Sequence, residues 1–293
     1  KRTNAAILWL LNMVDPDTGL APNLGSNDGG RLLPLTDSFH MDFRPTLQLA
    51  MNLFAGARAY SEAGHWDYPA QWMRLDLLKK VCATRDANHY PDGGIIILRS
   101  KKNTDRKVKL FLRYPRFCFR PTQSDLLHID LWIGSVNVLR DGGTYSYTQK
   151  AGDKSNYYFS GVSSHNTVQF DDRDQMPRLS RFLFGAWPKA EDLEEVCCSD
   201  GKETFGVGYT DWWGCRHHRS VSLSKDILII KDKIENSIPK TTAEVTGDGT
   251  HFEATVVSVA FEGKSTLERH KMVYSALREE MVEDIHAFSL KTF

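Results

Sequence analysis

Near Tyr90 the hydrophobic pattern of this chain changes period, and that change limits the possible folds more than any other feature. Upstream, apolar residues recur at helical spacing: Ala5, Ile7, Leu8, Leu11 and Val14 in one segment, Leu47, Leu49, Ala50, Leu53, Phe54 and Ala57 in another. The spacing predicts helices over 3–14, over 44–63 with Pro45 at N1 and Gly64 as the C-terminal glycine, and over 70–82. Downstream, short alternating or fully apolar runs lie between Gly, Asp and Asn turns such as Pro91-Asp92-Gly93-Gly94 and Asp141-Gly142-Gly143. They predict strands at 95–98, 107–114, 126–133, 136–139, 165–170, 182–187, 205–209, 218–223, 227–231, 254–261, 271–274 and 287–290. Many short strands joined by tight turns describe an antiparallel sandwich rather than a parallel sheet. The expected fold is mostly β with an N-terminal α part, divided into 1–90 and 91–293.

Lys and Arg number 37 and so do Asp and Glu, leaving no net charge to attract a polyanion, and no nucleic-acid partner is expected. Attraction to an acidic ligand must come from local clusters: Arg113, Arg116 and Arg120, or Arg216, His217, His218 and Arg219. No apolar run reaches the length of a membrane span. The opening KRTNAAILWLLNMV reads as an amphipathic helix rather than a signal peptide, and the chain reads as a fragment of a longer protein. Five irregularly spaced cysteines, with no CxxC pair, indicate neither a disulfide framework nor a zinc ribbon.

Three stretches could carry chemistry. The loop 21–37 holds Asn23, Asn27, Asp28 and Arg31. Amides and glycines make turns, but amide, carboxylate and guanidinium groups also pair with sugar hydroxyls and uronates. His165 heads an apolar-alternating run, sharing its face with Thr167 and Gln169; a hydrogen-bonded structural histidine competes with a functional one. Tyr157 and Tyr158, read as a pair of tyrosines in a strand, are either packing residues or phenols that reach a cleft. His128 and Asp130 read as core hydrogen-bonding groups, and Asp141 as a turn former.

APNLGSNDGGRLLPL (21–35), QSDLLHIDLWIGSVNVLRDGGTYSY (123–147) and HNTVQFDDRDQ (165–175) together resemble the heparinase II/III family of bacterial polysaccharide lyases. The resemblance implies a large antiparallel β-sandwich preceded by the last helices of an α/α-toroid. It also implies β-elimination of a uronic-acid-containing glycan, with a non-catalytic carbohydrate-binding sandwich as the rival reading. Elimination needs a group that neutralises the uronate, a base for the C5 proton and an acid for the leaving oxygen; no organic cofactor is required. The family's neutralising Asn and toroid Tyr would precede Ala21, so little or no turnover is expected of this chain alone. In family terms His165 is either the acid–base residue or a metal ligand, and Tyr158 is a second catalytic candidate. Asn27, Asp28 and Arg31 would bind substrate. A structural zinc would use His165 and His217, although Ser163 and Ala186 stand where the family places a further histidine and an acidic ligand. The expected partner is an acidic polysaccharide, and the expected location is periplasmic or secreted.

Overall fold

A computed structural model describes residues 2–25, 27, 29–30, 35–82, 87–100, 107–146, 154–180, 183–225, 227–235, 241–247, 251–258, 261–276 and 287–292. Helix α1 (Arg2–Met13) opens the chain. Helix α2 (Arg44–Ala50) starts with Pro45 in its first turn and continues as a wider π-turn, Met51–Ala55. It stops at Gly56 in the left-handed region, well short of Gly64. Ala57, spaced as if helical, instead enters the core together with Ala59 from a returning segment bridged to Val81 through Arg58. The buried amide of Gln48 fixes that return. It donates to Asp67 at 2.7 Å and accepts from the Ala59 and Tyr60 amides at 2.9 and 3.1 Å. The third helix, α3, is confined to Tyr68–Trp72.

The period change at Tyr90 is where the sheets begin. β1 (His89–Tyr90), β2 (Ile95–Arg99), β3 (Val108–Arg113), β4 (Ile129–Ile133) and β5 (Val136–Leu139) form an antiparallel meander in chain order. One face packs Ile96, Leu98, Leu110 and Leu112 against Phe205, Val207, Val221 and Leu223 of a second sheet. The other face packs Ile95, Ile97, Phe111 and Trp132 against Met13 of α1. Covered on both faces, β2 reads as a continuous apolar run rather than an alternation. Polar groups fasten α1 to this sheet: Lys109 Nζ donates to the carbonyl of Asn12 at 2.5 Å, and Arg99 reaches Asn12 Oδ1 at 3.0 Å. A lysine on the last carbonyls also suits the helix dipole.

The second sheet runs β14-β13-β12-β11-β10-β9-β8. Its strands are β8 (Cys197–Ser199), β9 (Lys202–Thr210), β10 (Arg216–Ser224), β11 (Ile227–Glu235), β12 (Thr241–Gly247), β13 (His251–Ser258) and β14 (Ala287–Thr292). Burial alternates strictly along β10, with His217, Arg219, Val221 and Leu223 pointing inward. β6 (Arg178–Ser180) and β7 (Leu183–Phe184) make a separate small hairpin, shorter than the aromatic strand expected at 182–187. Pairings between the described strands are antiparallel except β13 with β14, which run parallel across helix α5 (Thr266–Ala276). The run 271–274, expected as a strand, lies inside α5: four apolar-leaning residues cannot distinguish a strand from one helical turn. Among the described residues no helix is long and apolar enough to cross a membrane.

The turn before β2 gives a first prediction. Gly94 has φ +63°, and a Cβ there would lie 2.4 Å from the Tyr114 carbonyl and 2.9 Å from Arg116 Cβ. Gly94→Ala should therefore lower unfolding stability by about 1–3 kcal/mol, read from urea melts; an unchanged midpoint would refute the strain argument.

Candidate functional site

The HNT stretch is not a strand. Helix α4 (Ser155–Ser160) and a 3-10 turn, Val162–Ser164, precede it, and His165 follows in extended backbone. Asp174 closes this turn by accepting from the Val162 amide at 3.0 Å, and it pairs with Arg178 at 2.8 Å. What holds His165–Thr167 in place is side-chain bonding to backbone carbonyls of β4 and of the segments that flank β4 and β5. Asn166 Nδ2 donates to Ile129 O at 3.0 Å and to Arg140 O at 3.2 Å; Thr167 Oγ1 donates to Leu126 O at 2.5 Å. The buried Gln175 amide accepts from Leu126 N at 2.8 Å and donates to Leu126 O at 3.0 Å. The motif is a staple, and its effect is to aim the His165 ring inward.

The ring meets two carboxylates there. The His165 and Asp141 side chains are both 0% exposed, and Nε2 stands 3.4 Å from Asp141 Oδ2. Asp125, also fully buried, completes the group: one ligand atom from each of Asp125, Asp141 and His165 lies within 4.8 Å of the others. Each residue is oriented by its opposite side. His165 Nδ1 donates to Gly161 O at 2.8 Å, Asp141 Oδ1 accepts from the Gly143 amide at 2.7 Å, and Asp125 Oδ2 is paired with Arg113. The remaining atoms, Asp125 Oδ1, Asp141 Oδ2 and His165 Nε2, are buried without a hydrogen bond. His128 flanks the group edge-on, its ring centroid 5.5 Å from that of His165. Its Nδ1 accepts from the Asn166 amide at 3.0 Å, which places the proton of the neutral ring on Nε2. Gly142 permits the approach, since a Cβ would lie 3.0 Å from Ser164 Cβ.

The electrostatics follow from this packing. Burial disfavours a charged His165, but the adjoining Asp141 and then Asp125 outweigh it, and its pKa is raised. Burial pushes Asp141 up, yet His165, His128 and the Gly143 amide bring it below the ordinary carboxylate range. Burial dominates at Asp125, which is raised despite Arg113, and at His128, which is lowered to about 3. Asp130, buried beside the group, is pushed up to about 6, while Trp132, Asn137 and the Asp141 amide oppose the shift.

The expected site residues are distributed as follows. The His165 ring is sealed in the interior and cannot transfer a proton to a glycan in this arrangement. Tyr158 lies on α4, not on a strand, and is 52% exposed. The Asn27 amide nitrogen donates to Thr144 Oγ1 at 2.8 Å, and its side-chain oxygen accepts from Gly29 N at 2.8 Å, so it works as a turn former that docks the loop on the sandwich. Asp28 and Arg31 lie outside the described residues. His217 does not join His165: its Nε2 is 2.8 Å from Asp232 Oδ1, in an ion pair shared with Arg219. A zinc held by His165 and His217 therefore does not fit, whereas the donor set Asp125, Asp141 and His165 does suit a cation. Asp125 and Asp141 gave no metal-spacing signal, because they come from loops 40 and 24 positions upstream of His165. Most of the basic clusters are also spent internally. Arg113 pairs with Asp125, Arg219 with Asp232, and Arg216 with Asp192, Glu191 and Glu235. The last of these lines a depression of about 210 Å³, with Asp192, His218, Lys233 and Glu235, that contains none of the expected site residues.

Comparison with known proteins accounts for two parts of the chain. Residues 83–279 match the family described as Heparinase II/III-like, C-terminal. Heparan sulfate lyase HepC from Pedobacter heparinus superposes with TM-score 0.55 at 15% identity, covering 84% of this chain and 34% of that one. A heparinase III structure gives 0.52 at 16% identity, covering 84% and 36%. At such identity the likeness shows the fold, and the chain spans about a third of the length of these lyases. Shorter stretches match a second group. Protein BOLA2 of Arabidopsis thaliana is 43% identical over 72 residues, 22% of this chain and 76% of that protein. BolA-like protein 2 of Saccharomyces cerevisiae is 33% identical over 108 residues, 35% of this chain and 89% of its own length. The chain thus belongs to the heparinase II/III-like C-terminal family, a family related to polysaccharide lyases, and over a shorter stretch to the BolA-like family.

Proposed function

We propose that this chain is the sandwich end of a polysaccharide lyase that cleaves a uronic-acid-containing glycan by β-elimination. The observation that carries this reading is the family match over residues 83–279, joined to a helical layer docked on the same sandwich. Loop and sheet meet at the Asn27–Thr144 bond, and exposed Tyr145 stacks on Phe159 beside Tyr158 at that junction. Rings of this kind suit the faces of sugars. Arg116 and Arg120 remain exposed on either side of Phe119, itself 78% exposed, and offer charge for an acidic polysaccharide. Tyr158 takes the proton-transfer role on this side of the cleft, and the sealed His165 acts as an internal support. A polymeric substrate that cannot cross membranes places the enzyme in the periplasm or outside the cell.

The test is a panel of uronate glycans offered to the parent-length protein, read as ultraviolet-absorbing unsaturated uronyl ends. Product from at least one glycan is expected, with weak or no turnover from the 293 residues alone. Saturable binding without product, even from the parent, would replace this reading by a non-catalytic carbohydrate-binding sandwich.

We assign the BolA-like stretch to the C-terminal β12–β14 unit. The parallel β13–β14 pair with its α5 crossover departs from sandwich topology. The lyase structures leave 16% of the chain uncovered, and BolA matches can be as short as 45 residues, 15% of the chain.

A further inference from the structure

We propose that Trp212 and Trp213, at the tip of the β9–β10 hairpin, bind a saccharide that carries free, protonated amino groups, together with the neighbouring acidic turn at Asp171 and Asp172. The Asp211 amide donates to Cys215 O at 2.9 Å, so the hairpin closes through three residues, Trp212, Trp213 and Gly214. Gly214 sits at φ +87°, and its amide donates to Asp211 O at 3.1 Å. The buried Asp211 carboxylate accepts from the Trp213 and Cys215 amides, both at 2.9 Å. Asp211 and Gly214 thus supply the turn chemistry, and nothing in such a turn calls for two indoles. Yet Trp212 is 69% exposed and Trp213 42%. Large apolar rings held out to solvent on a braced tip add little to folding and mark a contact surface.

Arg173 locks a second turn against this tip. Its guanidinium lies 4.0 Å from the centre of a Trp213 ring, and it donates to Asp211 Oδ2 at 2.6 Å and to Cys215 Sγ at 3.1 Å. The Arg173 amide donates to Phe170 O at 3.1 Å and closes a turn. The two central residues of that turn, Asp171 and Asp172, are exposed and lie in the left-handed region at φ +49° and +51°, as in a type I′ turn. Asp171 Oδ2 stands 3.7 Å from Arg173 Nε, so one guanidinium separates its carboxylate from Trp213. Charge selects the occupant. Arg173 is committed to the buried Asp211, and among the described residues Asp172 has no ion pair, so the exposed turn is acidic. Such a field repels a uronate chain and attracts a cation. Indole faces suit the apolar face of a sugar ring, and their negative face adds attraction for an ammonium group. A basic peptide would need the aspartates alone; the indoles are what select a sugar. The site shares no residue with the Tyr145–Phe159 junction, and the inference does not depend on the lyase reading.

The test is isothermal titration of the 293-residue chain in mildly acidic buffer, where sugar amines are protonated. The ligands are a glucosamine oligomer, its N-acetylated counterpart, a uronate oligomer of the same length and an oligolysine peptide. The glucosamine oligomer is expected to bind, its N-acetylated form about fivefold or more weakly, and the uronate oligomer not at all. Trp212→Ala should weaken glucosamine binding by about 5–10-fold. The double variant Asp171→Asn, Asp172→Asn, whose amides tolerate the same backbone region, should bind the free-amine and N-acetylated forms alike. Equal binding of these two forms by the wild type, or no saccharide binding at all, would overturn the proposal without recourse to a variant. Oligolysine bound as tightly as the glucosamine oligomer would also overturn it, in favour of a peptide-binding acidic patch, and so would a Trp212→Ala chain that binds as the wild type does.

Discussion

Arg219→Met is expected to lower the free energy of unfolding by about 3–5 kcal/mol, the range found when one partner of a buried ion pair is removed. Arg219 lies on the inward face of β10 and is 5% exposed. Its Nε and Nη2 grip Asp232 at 2.6 and 2.8 Å, a bidentate contact. Nη1 donates to two carbonyls, Leu127 at 2.6 Å and Asn166 at 2.8 Å. The methionine fills much of the space but takes the guanidinium away from a largely buried carboxylate and from the Leu127 carbonyl, while the Asn166 carbonyl keeps the Ile129 amide at 3.3 Å. It also unpins Asn166 from the second sheet. Urea melts at neutral pH give the loss directly, and a difference below about 1 kcal/mol would show that the pair does not hold the sheets together. The pH dependence provides a second check. Burial would raise Asp232, but the charge and hydrogen bonds of Arg219, with those of His217, hold it far below the ordinary carboxylate range. A depressed carboxylate contributes stability that is present above its unfolded pKa of about 3.9 and is lost as pH falls toward the folded value. The gap between wild type and Arg219→Met should therefore narrow in acid.

The sheets were legible in the sequence because their periodicity is local. The pattern of β9 to β11 and the apolar runs of β2 and β3 each need only a handful of neighbouring residues. Helix lengths were less legible. Ala57 has the spacing of a helical face, yet Gly56 turns the chain and the buried Gln48 captures the segment beyond it. The aromatic run of α4 looked like strand because paired tyrosines favour strands on average, and nothing local signals the turn that Asp174 closes. The site was half visible. His165 stands out, but what surrounds it comes from Asp125 and Asp141, which local reading takes as loop residues. The Asp-Gly-Gly turn reading was correct about the Gly143 amide and silent about the other carboxylate oxygen. A parallel pair such as β13–β14 depends on a crossover, which a period of two does not reveal.

In the parent-length protein, Tyr158→Phe should reduce kcat by about 10²- to 10⁴-fold, the usual contribution of a positioned acid or base, while KM and the thermal midpoint change little. The reasoning rests on access. The Tyr158 side chain stands on the surface of α4, edge-on to Phe159, whose ring stacks under Tyr145; removing one hydroxyl breaks no described hydrogen bond. His165→Ala should behave in the opposite way. Its ring is sealed, held by Gly161 and set against Asp141, so the truncation opens a cavity between two carboxylates. A stability loss of about 2–4 kcal/mol is expected, with lost activity in proportion to lost folded protein. Measuring kcat per folded molecule separates the two residues. If His165→Ala abolished turnover with its midpoint intact, while Tyr158→Phe turned over normally, proton transfer would have to be reassigned to the histidine. The HNT staple would then have to open during the reaction, because as it stands no sugar reaches that nitrogen.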